Sequence, residues 1–238
     1  MRFRHVLAVA CGATFLSTAV PAEPALAGTL QVNPVLLEIN EGRRTASVTL
    51  RNEEATPVTI RAYALDWRQA GGDESYAETS AVIVSPPIFT VAPGATQLVR
   101  VGLRSPSAAP AAYRLIVEEV PEATQGNGIR VALRLNLPFY SSIPAGDFSA
   151  LRWSAWREAD GDWTLEAVNG GRGYVRIDPA VAQRAIGLRI PDHVNLGTVR
   201  PGAERRWGIG TQVDVSDAAR FRAITRAQGH GEARASLD

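Results

Sequence analysis

The sequence has almost no cysteine. Its one Cys, Cys11, falls within the first 27 residues, so no internal disulfide can staple the chain. Lysine is absent, and every fixed positive charge is an arginine guanidinium. The 25 basic residues against 24 acidic ones leave a formal net charge of +1, with no block of like charge. That balance excludes the electrostatic footprint of a nucleic-acid or anionic-membrane partner. After Val20 no stretch approaches the roughly 18 consecutive apolar residues of a membrane helix.

What stands at the start is Arg2, Arg4 and His5, then an apolar stretch from Val6 to Val20, then Ala25-Leu26-Ala27 before Gly28. This layout predicts a cleavable signal peptide over 1–27 and an exported chain beginning near Gly28. A lipoprotein signal would carry a longer apolar run before Cys11 and Leu in place of Ala8, so lipid attachment is not expected. The expected location is the periplasm or the exterior. Without cysteine in an oxidising compartment, stability has to come from buried apolar area.

Reactive groups are as scarce as thiols. Beyond the signal the histidines are His193, in the turn-like Pro191-Asp192-His193-Val194, and His230, in a small polar tail. Glu118 and Glu119 are adjacent on a strand and point to opposite faces, so they cannot cooperate as an acid–base pair. Asp160-Gly161-Asp162 has hairpin-turn chemistry and lacks the further oxygen ligands of a calcium loop. We expect no catalytic residue, no metal and no cofactor. Trp153, Trp156, Trp163 and Trp207 read as fillers of a β core before they read as a sugar platform.

Short β segments separated by turn signals make up most of the chain. Strands are predicted at 30–32, 35–39, 45–51, 58–66, 82–84, 96–103, 113–120 and 129–137, with breaks such as Gly71-Gly72-Asp73 and Pro93-Gly94 between them. This spacing fits an immunoglobulin-like sandwich. Ser141-Ser142-Ile143-Pro144-Ala145-Gly146 suits a hinge, and further pieces at 151–156, 163–169, 174–177, 185–190 and 207–211 predict a second, smaller β domain. The expectation is an all-β protein of two immunoglobulin-like sandwiches, 28–142 and 143–238, with 228–238 trailing off in disorder.

The segment Ile129-Arg130-Val131-Ala132-Leu133-Arg134-Leu135-Asn136-Leu137 puts a large aliphatic at every odd position. Strict period two predicts a strand with one apolar face, bounded by Gly126-Asn127-Gly128 and Pro138. On pattern alone such a strand either closes its own sandwich or is held out for another chain.

Ser85-Pro86-Pro87-Ile88-Phe89, Val91-Ala92-Pro93-Gly94, Gln97-Leu98-Val99-Arg100-Val101 and Tyr113-Arg114-Leu115-Ile116-Val117-Glu118-Glu119-Val120-Pro121 precede that strand in order. Together they resemble the N-terminal domain of PapD-like periplasmic pilus chaperones of the chaperone–usher type. Asn169 to Ile177 and Gly197 to Gly202 resemble the second domain more faintly. The resemblance implies that 129–137 is lent to an incomplete pilin-like subunit, with Ile129, Val131, Leu133, Leu135 and Leu137 entering its groove. Burying four such side chains would contribute on the order of 6 to 12 kcal/mol before ordering costs.

In better-known members an Arg on the first strand and a Lys on the last hold the subunit's terminal carboxylate. The corresponding places here hold Pro34 and Asn136, neither of which can form a charged anchor. Arg114, on the strand paired with the lent one, is the leading candidate for a relocated anchor, with Arg100 and Arg134 behind it. The wording around Arg114 and the short loop 122–128 resemble the branch serving spore-coat-protein-U-type subunits. Such subunits and an outer-membrane usher are then the implied partners, and a self-capping homodimer is one expected form of the free protein. The competing reading is a secreted immunoglobulin-like structural subunit or adhesin.

Overall fold

The structure, a computed structural model, describes residues 30–40, 43–105, 110–121, 131–186, 189–210, 222–224 and 234–236. The signal-peptide expectation, Ile129 and the tail 228–233 and 237–238 lie outside the described residues.

The first half is built from β1 (Leu30–Asn33), β2 (Leu37–Ile39), β3 (Thr45–Asn52), β4 (Val58–Ala70), β5 (Asp73–Glu78), β6 (Val82–Ser85), β7 (Ile88–Val91), β8 (Thr96–Leu103), β9 (Ala111–Glu119) and β10 (Arg134–Ser141). One sheet runs β1-β3-β8-β6, and the other runs β2-β10-β9-β4-β5 with β7 also beside β4. Alternation along each strand sends one set of side chains inward. Val48, Leu50, Val99 and Val101 of the first sheet meet Ile60, Ala62, Leu115, Val117 and Phe139 of the second.

In this half two strands escaped the sequence reading, as Thr198–Val199, Arg222–Ile224 and Arg234–Ser236 did in the second. β5 is almost wholly polar and exposed, so it carries no alternation; the Gly71-Gly72 turn, with φ of 64° and 91°, folds it back on β4. β7 pairs with the opposite end of β4. The predicted alternating strand is displaced toward the C-terminus: β10 begins at Arg134 and runs through Pro138 to Ser141. Pro138 does not end it because the groups that bond β9 belong to odd-numbered residues, so its missing N–H faces away from that ladder.

The second half contains β11 (Leu151–Arg157), β12 (Trp163–Asn169), β13 (Val175–Arg176), α1 (Pro179–Ile186), β14 (Thr198–Val199), β15 (Glu204–Gly210), β16 (Arg222–Ile224) and β17 (Arg234–Ser236). The sheet order is β15-β12-β11-β17-β16, with β13 and β14 paired separately. Trp153 and Trp207 are buried in this core with Leu165, Ile177, Ile186 and Leu196. Of the strand predicted at 185–190, residues 185–186 end a helix and 189–190 lie in no strand. Asp178 Oδ1 accepts from the N–H groups of Ala180 and Val181, Pro179 takes the first helical turn, and Ala182 and Ile186 are buried four residues apart, which makes a short helix instead. The fold is all-β in plan, with two immunoglobulin-like domains.

A third apolar cluster lies between the two halves: Trp67, Ala112, Tyr140, Ile143 and Tyr174, with Leu36 against it. Tyr140 and Tyr174 stack with ring centroids 4.1 Å apart. Around them run polar ties. Tyr174 Oη donates to Glu38 Oε1 at 2.8 Å, Gln69 Nε2 donates to the Thr198 carbonyl at 2.7 Å, and Arg200 Nη1 donates to the Trp67 carbonyl at 2.6 Å. The Arg206 N–H and guanidinium donate to the carbonyls of Gly72 and Gly71. A Cβ on Gly72 would meet the Arg206 side chain at 2.7 Å, so the hairpin turn needs glycine for this contact as well as for its φ.

Candidate functional site

β10 has two different edges. Glu119 N–H donates to the Leu133 carbonyl at 2.8 Å, which sets the antiparallel register: odd residues from Leu133 to Phe139 turn their backbone groups to β9, and Arg134, Asn136 and Pro138 turn theirs outward. On that outer side β2 pairs in parallel with Phe139 to Ser141 only. Among the described residues no strand pairs with the outer edge from Arg134 to Asn136. The chain just before β2 cannot cover it, because β1 is committed to β3 in the other sheet.

Burial of the apolar side chains changes steadily along this strand. Leu137 is 6% exposed within the core, Leu135 and Leu133 are half-buried, and Val131 is 80% exposed. The domain's own core therefore covers the lower part of the alternating pattern and leaves the upper part in water.

The other face of the strand is tied down by charge. Glu118 accepts from Arg61, through Nε at 2.7 Å and through Nη2, and from Tyr63 Oη at 3.2 Å, and it lies 3.4 Å from Arg134 Nε. Arg134 is thus an exposed, ion-paired residue of the outer sheet face. Arg100 is exposed on β8 of the opposite sheet, between Ser47 and Ser85. The structure does not bring the three candidate arginines together. Neither Arg100 nor Arg134 lines the cleft between the domains: the first lies on the opposite sheet and the second is paired with Glu118.

Arg114 is placed differently. It lines a cleft between the domains, about 530 Å³ in volume, with Val35, Glu74, Asn136, Tyr140, Tyr174 and Arg205 among its walls. Its guanidinium carbon sits 3.7 Å from the Trp67 ring centroid, and its buried Nε has no hydrogen-bond partner. Tyr140 Oη is also buried without a hydrogen bond although Thr198 is beside it. Burial pushes the Tyr140 phenol up to about 12, against the pull of Arg114 and Arg200. Burial and then the bond to Glu38 raise Tyr174 further.

Sequence reasoning missed Glu74, Tyr140 and Arg205 as cleft residues, and Trp67 as the buried ring against Arg114. They come from four strands of two domains, and no local spacing joins them. Among the described residues no cluster of His, Cys, Asp or Glu could hold a metal ion, and no helix is long and apolar enough to cross a membrane.

The fold and this edge define a class: a two-domain immunoglobulin-like β protein that keeps one alternating strand half unpaired beside an arginine-bearing cleft. Residues 29–142 match the model of the pili and flagellar-assembly chaperone, PapD N-terminal domain. The match covers the first domain, just under half of the chain. No curated protein sequence matches the chain.

Solved structures do match it. A chain of the CsuC–CsuE chaperone–tip adhesion subunit pre-assembly complex, from the archaic chaperone–usher Csu pili of Acinetobacter baumannii, superposes with a TM-score of 0.62 at 22% identity, over 76% of this chain and 87% of that one. A chain of the Salmonella enterica SafA pilin–SafB chaperone complex gives 0.54 at 13% identity, over 76% and 84%. The Pseudomonas aeruginosa CupB2 chaperone gives 0.51 at 17% identity, over 87% and 100%. At these identities the likeness is one of fold.

Proposed function

We propose that this protein is a periplasmic pilus-assembly chaperone that stabilises pilin-like subunits by lending them β10 and the residues just before it. One observation carries the reading: among the described residues the outer edge of β10 is unpaired from Arg134 to Asn136, while the apolar side chains there and just before it grade from buried Leu137 to Val131, 80% exposed. An incomplete sandwich gains there both backbone partners and side chains for its open core. Ile129, Val131, Leu133 and Leu135 are the side chains offered, with Leu137 rooting the strand. The domain of residues 28–142 lends the strand, and 143–238 forms the second wall of the cleft.

Arg114 is the group proposed to receive the subunit's terminal carboxylate. Its guanidinium is half-buried, stacked on Trp67 and without a carboxylate partner among the described residues. The function is binding rather than catalysis. Spore-coat-protein-U-type subunits and delivery to an outer-membrane usher complete the reading, and a second copy of the chain is the substitute occupant of the edge when no subunit is present.

The test is recovery of tagged protein from its native periplasm beside a Leu133→Arg variant, with mass spectrometry of what accompanies each. A small β subunit present with the first and absent from the second supports strand lending. Identical partners for both would overturn it.

A further inference from the structure

The alternating strand leaves its own sheet at a defined place. At a bonded antiparallel pair two residues exchange two bonds, each N–H meeting the other's carbonyl. Glu119 and Leu133 make one of these: Glu119 N–H donates to the Leu133 carbonyl at 2.8 Å, whereas Leu133 N–H donates to the Glu119 carboxylate, at Oε2, 3.4 Å away. A carboxylate is a stronger acceptor than the carbonyl it displaces. One bonded pair further on, the register would set Val131 opposite Pro121, which has no N–H to give. β9 does not fray here, since Val120 N–H donates to the Thr59 carbonyl at 2.8 Å and keeps the strand on β4. Just below, Arg134 lies opposite Glu118 and is ion-paired with it. Burial changes at the same point: Leu133 is half-buried and Val131 is 80% exposed.

Resting on the reading that this strand is lent to a subunit, we propose that Glu119 is a positioning residue that ends the β9–β10 ladder at Leu133, with Pro121 as a second stop, so that Val131 and Ala132 meet the subunit with both backbone edges open. From Arg134 to Asn136 a guest reaches one edge only, because β9 has the other. At Val131 and Ala132 no strand pairs with either edge among the described residues. A guest strand on each side can then bond them without breaking a bond of the lending domain. A ladder that ran on to residue 131 would close the inner side, and each added bond would have to be exchanged before the subunit could use that edge. Glu119 thereby sets how many residues a guest can grip from two sides.

The test uses the full chain labelled with 15N and follows amide exchange residue by residue, beside recovery of subunit from the native periplasm. The variants are Glu119→Gln, which keeps an acceptor oxygen in the same place, and the double variant Glu119→Ala/Pro121→Ala, which removes that acceptor and restores an N–H. In the parent the Val131 amide should exchange without protection. In the double variant its protection should rise about tenfold or more as the ladder extends, with no fall in melting temperature, while recovered subunit drops about threefold or more. Glu119→Gln should match the parent in both readouts.

A Val131 amide that stays unprotected in the double variant would overturn the assignment of Glu119 and Pro121 as the end of the ladder. Gained protection with undiminished recovery would overturn the link to lending. Reduced recovery in Glu119→Gln without gained protection would make Glu119 an ordinary structural residue and overturn its positioning role. The exchange measurement needs no subunit, so it stands whatever the Leu133→Arg experiment gives, and the two readings fail independently.

Discussion

Asn52 and Asn169 make the same five hydrogen bonds, one in each domain. Asn52 N–H donates to the Ala95 carbonyl and its own carbonyl accepts from Gly94, as Asn169 does with Ala203 and Gly202. Each Oδ1 accepts from the N–H two residues on, Glu54 or Gly171, at 2.9 Å. Each Nδ2 donates at 2.8 Å to the carbonyl four residues on, Thr56 or Gly173, and at 3.0 Å to Val91 or Val199. The partner turns read Val91-Ala92-Pro93-Gly94-Ala95 and Val199-Arg200-Pro201-Gly202-Ala203, with φ of 67° at both glycines.

Both asparagines are fully buried, so removing either side chain strands two carbonyls and an N–H in the interior. Asn52→Ala and Asn169→Ala are each expected to cost about 2 to 4 kcal/mol. Differential scanning calorimetry should show the loss in a different transition for each variant, since each asparagine serves its own core.

The strand separates folding from binding along its length. Leu137→Arg puts a charge into the core and is expected to abolish the folded first domain, by well over 3 kcal/mol. Val131→Arg changes a side chain already in water and should leave the melting temperature unchanged while subunit recovery falls. Melting and recovery measured together on the two variants check this.

Tyr140 gives a pH dependence with a definite sign. Its folded pKa is raised to about 12, so the stability it contributes is complete below its unfolded value of about 10 and is lost as pH rises toward 12. Loss of about 2 to 3 kcal/mol is expected across that window. Tyr140→Phe discards a hydroxyl that has no hydrogen bond, so it should match the parent at pH 8 and exceed it at pH 11 in urea unfolding.

Glu118 holds the outer face of the strand through Arg61, Tyr63 and Arg134. Its removal is expected to matter locally rather than globally. Glu118→Gln should speed hydrogen exchange at the amides of Leu133 and Leu135 with no measurable change in overall unfolding, read by exchange mass spectrometry.

How much of this could be read from the sequence follows from where the causes lie. β8 and β12 begin and end where predicted, because alternation and the flanking turns act within a few residues. β5 was invisible because its polar side chains have no core face, and the Gly71-Gly72 turn is what folds it back on β4. Arg114 could be found because it sits across from Pro138 on the strand next to the alternating one. Arg205 could not. In the sequence it is half of an Arg-Arg pair, and only packing reveals that one member enters the cleft while the other ties down Gly71. The second-domain turn at Pro201-Gly202 was legible in principle, since the first domain contains the same motif.

Pro138 stands between two stretches of one edge. Below it β2 is bonded at Phe139 to Ser141, and above it the edge from Arg134 to Asn136 is bare. Its backbone offers no N–H on that side, so the ladder of β2 cannot grow upward and a guest strand cannot grow downward into it. The residue works as a partition: what the protein keeps for itself and what it leaves for another chain are separated by one missing hydrogen.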